Sequence, residues 1–340
     1  MSAVGTTGTP DAVGTAGTEP ELPPPPNPWL GALLAEWRRV MATPTWWVLG
    51  LVCLGYMAFL AGLLTFAATL PVEEGGMQVE GTPGEVARTF YSLPVSLGYV
   101  FPLVAGSLAI TSEFRHRTLA GVLLADPSRS RLLTAKLTVQ AVTGAFLGLC
   151  GVVGAVAASA VVLLATDRPT ALGDPATWGT VGLVVVALAL WGMVGVGFGA
   201  LVPQQVAAVV CILAFTQLIE PMLRLGLGVL GDGFGQVGLY FPGAAAEALV
   251  GESLYSVIGS ADLLSRWQGG VVLLAYAVGF AVLARFTTLR RDGQEAQASL
   301  RSRRSFATCP VALTLYWATS TLPSGSTTTV ERMTPSTTLP

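Results

Sequence analysis

Charge is scarce in this sequence. Asp, Glu, Lys and Arg make up 11% of its 340 residues, against roughly a quarter in ordinary soluble domains. With 52% apolar residues and a mean hydropathy of +0.64, too little polar surface remains to wrap a water-facing core. There is a single histidine, His116, so a metal site or a nucleophile–histidine pair has no second imidazole to draw on. There is a single lysine, Lys136, with Ser130 and Ala135 where a phosphate-cradling loop needs glycines and Leu137 where it needs Ser or Thr. The chain therefore carries no ATP-binding motif of that type. Cys53, Cys150, Cys211 and Cys309 lack the paired spacing of a zinc site or disulfide framework and read as small hydrophobes. A net charge of −2 leaves no basic surplus for a nucleic-acid partner.

What the sequence has instead is long apolar runs. A bilayer core of about 30 Å needs roughly 20 helical residues to cross it. Six runs qualify: 46–70, 93–111, 138–165, 179–202, 206–230 and 269–284. The last borrows Trp267 and Phe286 as aromatic ends. The fifth is interrupted by Glu220 and Pro221, and either ends there or continues kinked. The fold class expected is all-α, a polytopic membrane protein of about six spans. Ahead of them, Leu30, Leu33, Leu34, Trp37 and Met41 line one helical face while Glu36, Arg38 and Arg39 point elsewhere. That pattern suits an amphipathic helix lying on the membrane surface, separated from the first span by Thr43, Pro44 and Thr45. The alternative is a frayed, charged start to the first span.

Residues 1–28 have neither the basic start nor the apolar middle of a signal peptide and read as a disordered leader. The membrane-spanning core runs over 29–292, and 293–340 form a low-complexity tail rich in Ser, Thr and Pro. Placing both termini in the cytoplasm puts 14 basic residues inside and leaves Arg88, Arg168, Arg224 and Arg266 outside, the asymmetry that basic loops impose on topology.

The connections differ in length and content. Val202 to Gln205 make a tight hairpin, so spans four and five are expected to pack as antiparallel neighbours. Leu223 to Gln268 form an outer loop apolar enough to fold back on the bilayer or the spans. The segment from Ser112 to Leu137 is the longest cytoplasmic connection. Glu113, Arg115, His116 and Arg117 lead there into an apolar stretch ending at Leu124, and Asp126 with Pro127 signals a helix start. Arg129, Arg131 and Lys136 then fall on exposed first turns of the third span. A positive-inside loop explains the charges alone; a docking surface for a soluble partner explains them together with the apolar stretch. Glu220 is an ionisable group at membrane depth, with Arg224 four residues on as a pairing partner and substrate or proton handling as the other reading. The pairs Gly144/Gly148 and Gly195/Gly199 have the spacing of close helix packing.

These features resemble the type-2 permeases of bacterial ATP-binding-cassette (ABC) transporters. The resemblance rests on the surface helix, the six spans, and Ser112, Glu113, Phe114, Arg115, Thr118 and Leu119 after the second span. Pro127, Ser128, Arg129, Arg131, Ala135 and Lys136, and the outer element FPGAAAEAL at 241–249, add to it. It covers roughly Pro28 to Gly293. It implies an exporter subunit in the bacterial cytoplasmic membrane, working as a homodimer or with a related permease, and needing no cofactor of its own because ATP is bound by a separate ATPase subunit. It also implies that the loop after the second span forms a coupling helix seated on that ATPase. The contact would involve Glu113, Phe114, Arg115, His116, Arg117, Thr118, Leu119, Leu123 and Leu124, with Trp37 and Arg38 as a second contact. The competing expectation is an ion- or proton-coupled secondary transporter, for which Glu220 is almost the only ionisable residue within a span. A membrane-embedded enzyme would need two placed catalytic groups, which the spans do not offer.

Overall fold

The computed structural model describes residues 27–71, 79, 81–116, 128–229, 232–252 and 263–287. The described chain is helical, with no strands. A short helix α1, Pro28–Met41, is followed by α2, Thr45–Thr69. Next come α3, Pro83–Tyr91, a π-helical turn at Pro94–Gly98, and α4, Val100–His116. The two longest helices are α5, Arg129–Ala165, and α6, Pro175–Leu201. After them run α7, Gln205–Ala214, a π-helical turn at Phe215–Ile219, and α8, Glu220–Val229. Short helices α9, Asp232–Gly238, and α10, Pro242–Val250, lead to α11, Arg266–Phe286. Six helical stretches are long and apolar enough to cross a membrane: Thr45–Thr69, Pro83–His116, Arg129–Ala165, Pro175–Leu201, Gln205–Leu227 and Arg266–Phe286.

Local signals account for most of the boundaries. Asn27 caps α1 through the Trp29 amide, and Asp174 caps α6 with Pro175 as its first residue. Thr82 and Glu85 form a capping box at α3, as Ser265 and Gln268 do at α11. These caps lengthen the spans beyond their apolar runs, so the second begins at Pro83 rather than Leu93. The third begins at Arg129, where the observed cap is Ser128 accepting from the Arg131 amide; Asp126 and Pro127 lie outside the described residues. The fifth span does not end at Glu220. Pro221 has no N–H to return to the preceding turn, and the π turn at Phe215–Ile219 just before it carries the helix through.

Successive spans alternate in direction. Ile110, Leu132, Leu133, Ala200 and Ala284 meet in one cluster, which brings the end of α4, the start of α5 and the ends of α6 and α11 together. Glu36 and Arg39 of α1 bond Lys136 and Glu113 beside this cluster, so α1 and the end of α11 share one end of the bundle, called here the α1 end. At the opposite, far end Arg88 of α3 bonds Asp174 at 3.0 Å and Glu252 at 3.3 Å. Burial pushes the Glu252 carboxyl above its usual range, and the hydrogen bond and charge of Arg88 work against that rise.

At the centre stands α6, packed against α4, α5 and α11. Lipid tails are as apolar as leucine, so packing of small residues rather than exclusion from water draws such helices together. A Cβ on Gly195 would overlap the Leu103 carbonyl oxygen, one on Gly106 that of Gly192, and one on Gly144 would lie 2.6 Å from that of Leu188. Gly199 abuts Ser107, and Gly148 the Leu188 side chain. Both glycine pairs noted in the sequence are therefore contact points, one for α5 and one for α4. Trp191 stacks on Tyr99 with ring centroids 4.5 Å apart, closing the middle of the bundle.

The expectation for the fourth and fifth spans needs correcting. The turn joining them is tight, yet α7 packs chiefly on α4 and only slightly on α6. The close-packing faces of α6 are already taken by α4, α5 and α11, where Gly197 meets Ala277 and Phe280. The outer loop folds back into the bundle: α10 is buried along nearly its whole length and lies against α11, where Gly269 has no room for a Cβ beside Ala245 and Leu249.

Gly195→Ala and Gly106→Ala are expected to lower stability by ~1–3 kcal/mol, the usual cost of forcing extra methyl volume into a packed interior. Gly182→Ala and Gly279→Ala, which have open space at the same helical geometry, should be neutral or stabilising by up to about 1 kcal/mol. Thermal unfolding in a fixed detergent compares them directly.

Candidate functional site

The conspicuous polar feature at the α1 end is a buried set of four charges. The Lys136 ammonium on α5 is 1% exposed and donates to Glu36 at 2.9 Å, to Glu113 at 2.8 Å and to the Ala109 carbonyl at 3.1 Å. Arg39 on α1 bonds both Glu36, at 2.8 Å, and Glu113. Two carboxylates thus face two cations and the set is neutral, which is the condition for holding ionised groups away from water. The Arg39 side chain remains partly in solvent, at 44%. One oxygen of Glu113, Oε2, has no partner.

This set corrects two expectations and adds a detail on α1. Glu113, placed among the exposed contacts for a partner, is 4% exposed and turned into the bundle. Lys136, expected on an exposed turn of the third span, is among the most buried side chains in the protein. Glu36 faces the protein rather than solvent, while Trp29, Leu30, Leu34, Trp37 and Met41 of α1 are exposed. The apolar stripe of α1 consequently points outward, as a helix lying in a membrane interface presents it, and the polar edge is what fastens it to α5.

The other residues proposed from the sequence divide into three groups. Phe114 packs on the cluster of Ile110, Leu132, Leu133, Ala200 and Ala284. Arg115 and His116 are exposed at the end of α4, where Arg115 reaches Gln205 at 3.4 Å. Trp37 and Arg38 are exposed on α1. Arg117, Thr118, Leu119, Leu123 and Leu124 lie outside the described residues. The structure therefore brings Glu113 and the α1 helix together, while Arg115 and His116 stand on the surface beside the chain that connects α4 to α5.

A second polar cluster lies toward the far end, among α3–α4, α8 and α10. Glu247 of α10 accepts from Ser96 at 3.0 Å and from Arg224 at 3.0 Å. Glu220 Oε1 accepts from the amides of Gly243, at 2.7 Å, and Ala244, at 3.2 Å. Tyr99 donates to the Thr216 carbonyl at 3.0 Å. The guanidinium expected to pair with Glu220 is thus shown bonded to Glu247, and Glu220 is held by the amino end of α10. Sequence reasoning missed Glu247. Its signal was that it is the lone charged residue in the apolar stretch 241–249.

No protein-family model and no curated protein sequence matches this chain. What the fold and composition define is an all-α, multi-pass membrane protein with six candidate spans.

Replacing Lys136 by Met leaves Glu36 and Glu113 buried against a single, half-exposed guanidinium. The expected loss is ~3–5 kcal/mol, the usual cost of removing one partner from a buried ion pair. Glu36→Gln combined with Lys136→Met should recover part of it, and a double-mutant cycle on unfolding midpoints measures how much.

Proposed function

We propose that this chain is the membrane-spanning permease subunit of an ABC exporter, driven by ATP that a separate ATPase subunit binds and hydrolyses. The observation that carries the reading is the way α1 is fastened. The residues of the SEFR motif and of the following A-K, which the resemblance to type-2 permeases singled out, meet through Glu113 and Lys136, and both hold Glu36 or Arg39 of α1. A load applied to the segment 117–127 would reach α4, α5 and α1 together, because that segment joins the first two and the buried charges tie in the third. Such a junction is what a permease needs if the closure of an ATPase is to favour one arrangement of its spans over another.

On this reading the α1 end is cytoplasmic. Arg38, Arg115, His116, Arg129 and Arg131 lie there, and the positive-inside asymmetry of the sequence agrees. The membrane is the bacterial cytoplasmic membrane, and the working unit is a homodimer or a heterodimer with a related permease. Arg115, His116 and Arg117 with the apolar stretch to Leu124 contact the ATPase, and Trp37 and Arg38 flank them on α1. Glu113 acts from behind that surface as a strut.

The second reading, a proton- or ion-coupled carrier working alone, draws on Glu220, a 2% exposed carboxyl within the fifth span. One experiment separates the two. Affinity-tagged protein taken from its native membranes should bring an ATPase with it, and Arg115→Glu with Arg117→Glu should weaken that association at least tenfold while leaving the folded permease intact. Recovery without any ATPase, or unchanged association in the double variant, removes the coupling proposal.

A further inference from the structure

We infer that Glu220 is a proton-binding site, its carboxyl neutral in this arrangement with the proton on Oε2. The inference does not rest on the exporter reading; it follows from how the two oxygens of one side chain are treated. Oε1 accepts two backbone amides, from Gly243 and Ala244. Oε2 is buried and has no hydrogen-bond partner. An ionised carboxylate divides its charge over both oxygens, and leaving one of them bare inside the membrane is costly. At Glu113, which also has a bare Oε2, two cations on the other oxygen offset that cost, whereas Glu220 has only neutral amides there. A protonated carboxyl localises its hydrogen on the oxygen that receives no donor and keeps the other as acceptor, which is the division seen here.

Charge counting points the same way. The groups facing Glu220 are Arg224 one turn along its own helix, Glu247 from α10, Tyr276 from α11, and Ser96 and Tyr99 from the second span. The phenols are engaged elsewhere, Tyr99 on the Thr216 carbonyl and Tyr276 on that of Tyr240. Glu247 has a donor on each oxygen, Ser96 on one and Arg224 on the other, so it is Glu247 that the guanidinium faces directly. With Glu220 charged the cluster would hold two anions and one cation; with Glu220 protonated it is neutral, as the four-charge set at the α1 end is.

The surroundings supply a route. Glu220, Glu247 and Arg224 line a narrow cleft of about 10 Å³, room for about one water. The cleft sits where the two π-helical turns, Pro94–Gly98 and Phe215–Ile219, face each other across Ser96, Tyr99 and Thr216. Turns of this kind interrupt the helical hydrogen-bond ladder and occur often at functional positions. Glu220 lies about 10 Å along the helix from Leu227, the end of the span, at 1.5 Å per residue. A proton would therefore come and go from the far end, the outside on the topology proposed above. The small cleft and the adjacent guanidinium disfavour a hydrated metal ion as occupant.

The test is infrared difference spectroscopy of the full-length protein in lipid vesicles, titrated from mildly acid to alkaline pH. A protonated-carboxyl C=O band is expected at neutral pH, lost on alkaline titration, absent from Glu220→Gln and retained in Glu247→Gln. Should Glu220→Gln fail to fold, Glu220→Asp serves in its place, and a shifted band then assigns the group. The inference is overturned by the absence of such a band at neutral pH, by its persistence unmoved in the Glu220 variants, or by its loss on adding sodium at constant pH and ionic strength. That last result would make a metal ion the competing occupant. Failure here leaves the association with an ATPase untouched, and loss of that association leaves the band untouched.

Discussion

The close approach of α6 to α4 and α5 is the constraint on which the rest of the architecture depends. Helices in lipid gain little from hiding apolar surface, because their surroundings are equally apolar. They gain from contact, and contact at backbone distance requires that side chains be missing. Gly106, Gly144, Gly192 and Gly195 supply that absence at the crossing points. Once α6 is seated against both neighbours, Trp191 is fixed against Tyr99, and the end of α4 and the start of α5 are brought near enough for the Lys136 ammonium to donate to the Glu113 carboxylate. The polar clusters at the two ends are consequences of this packing: they occupy positions that the glycine contacts have already set.

The spans were legible because one property, a run of about 20 apolar residues, is enough to mark a crossing. Their true lengths were not, since apolar counting stops at the first charged residue. Arg88 and Glu113 continue their helices beyond the apolar run because each is paired within the protein. The glycine pairs were visible by spacing, but spacing alone does not say which helix lies opposite. The path of the fifth span was undecidable from Glu220 and Pro221 because a π turn, which has no sharp sequence signature, resolves it. The burial of Glu36 was not legible for a related reason. An amphipathic pattern separates two faces of α1 without saying which is lipid and which is protein, and a buried cation elsewhere, Lys136, reversed the ordinary assignment.

The exposed residues of the proposed partner surface are the part that the sequence placed without help from packing. Arg115 and His116 stand exposed at the end of α4, whereas Glu113, in the same short motif, is explained by the ion set. One motif therefore contains two kinds of residue. Glu113 holds the end of the second span to the third and to α1, and Arg115 and His116 face outward from that held position. A motif read as a single surface would assign the same role to both, and substitutions in it would then give inconsistent results for a reason that burial makes plain.

The two polar clusters also differ in what their charge permits. The set at the α1 end contains two acids and two bases, whose formal charges balance without a further ion. The far cluster contains two acids and one base. It reaches neutrality only by adding a cation, and the proton is the one that needs no space beyond the unpartnered oxygen of Glu220. On the inference drawn for Glu220, a neutral set at one end and a variable charge toward the other are connected by α4 and its packing on α6 and α7.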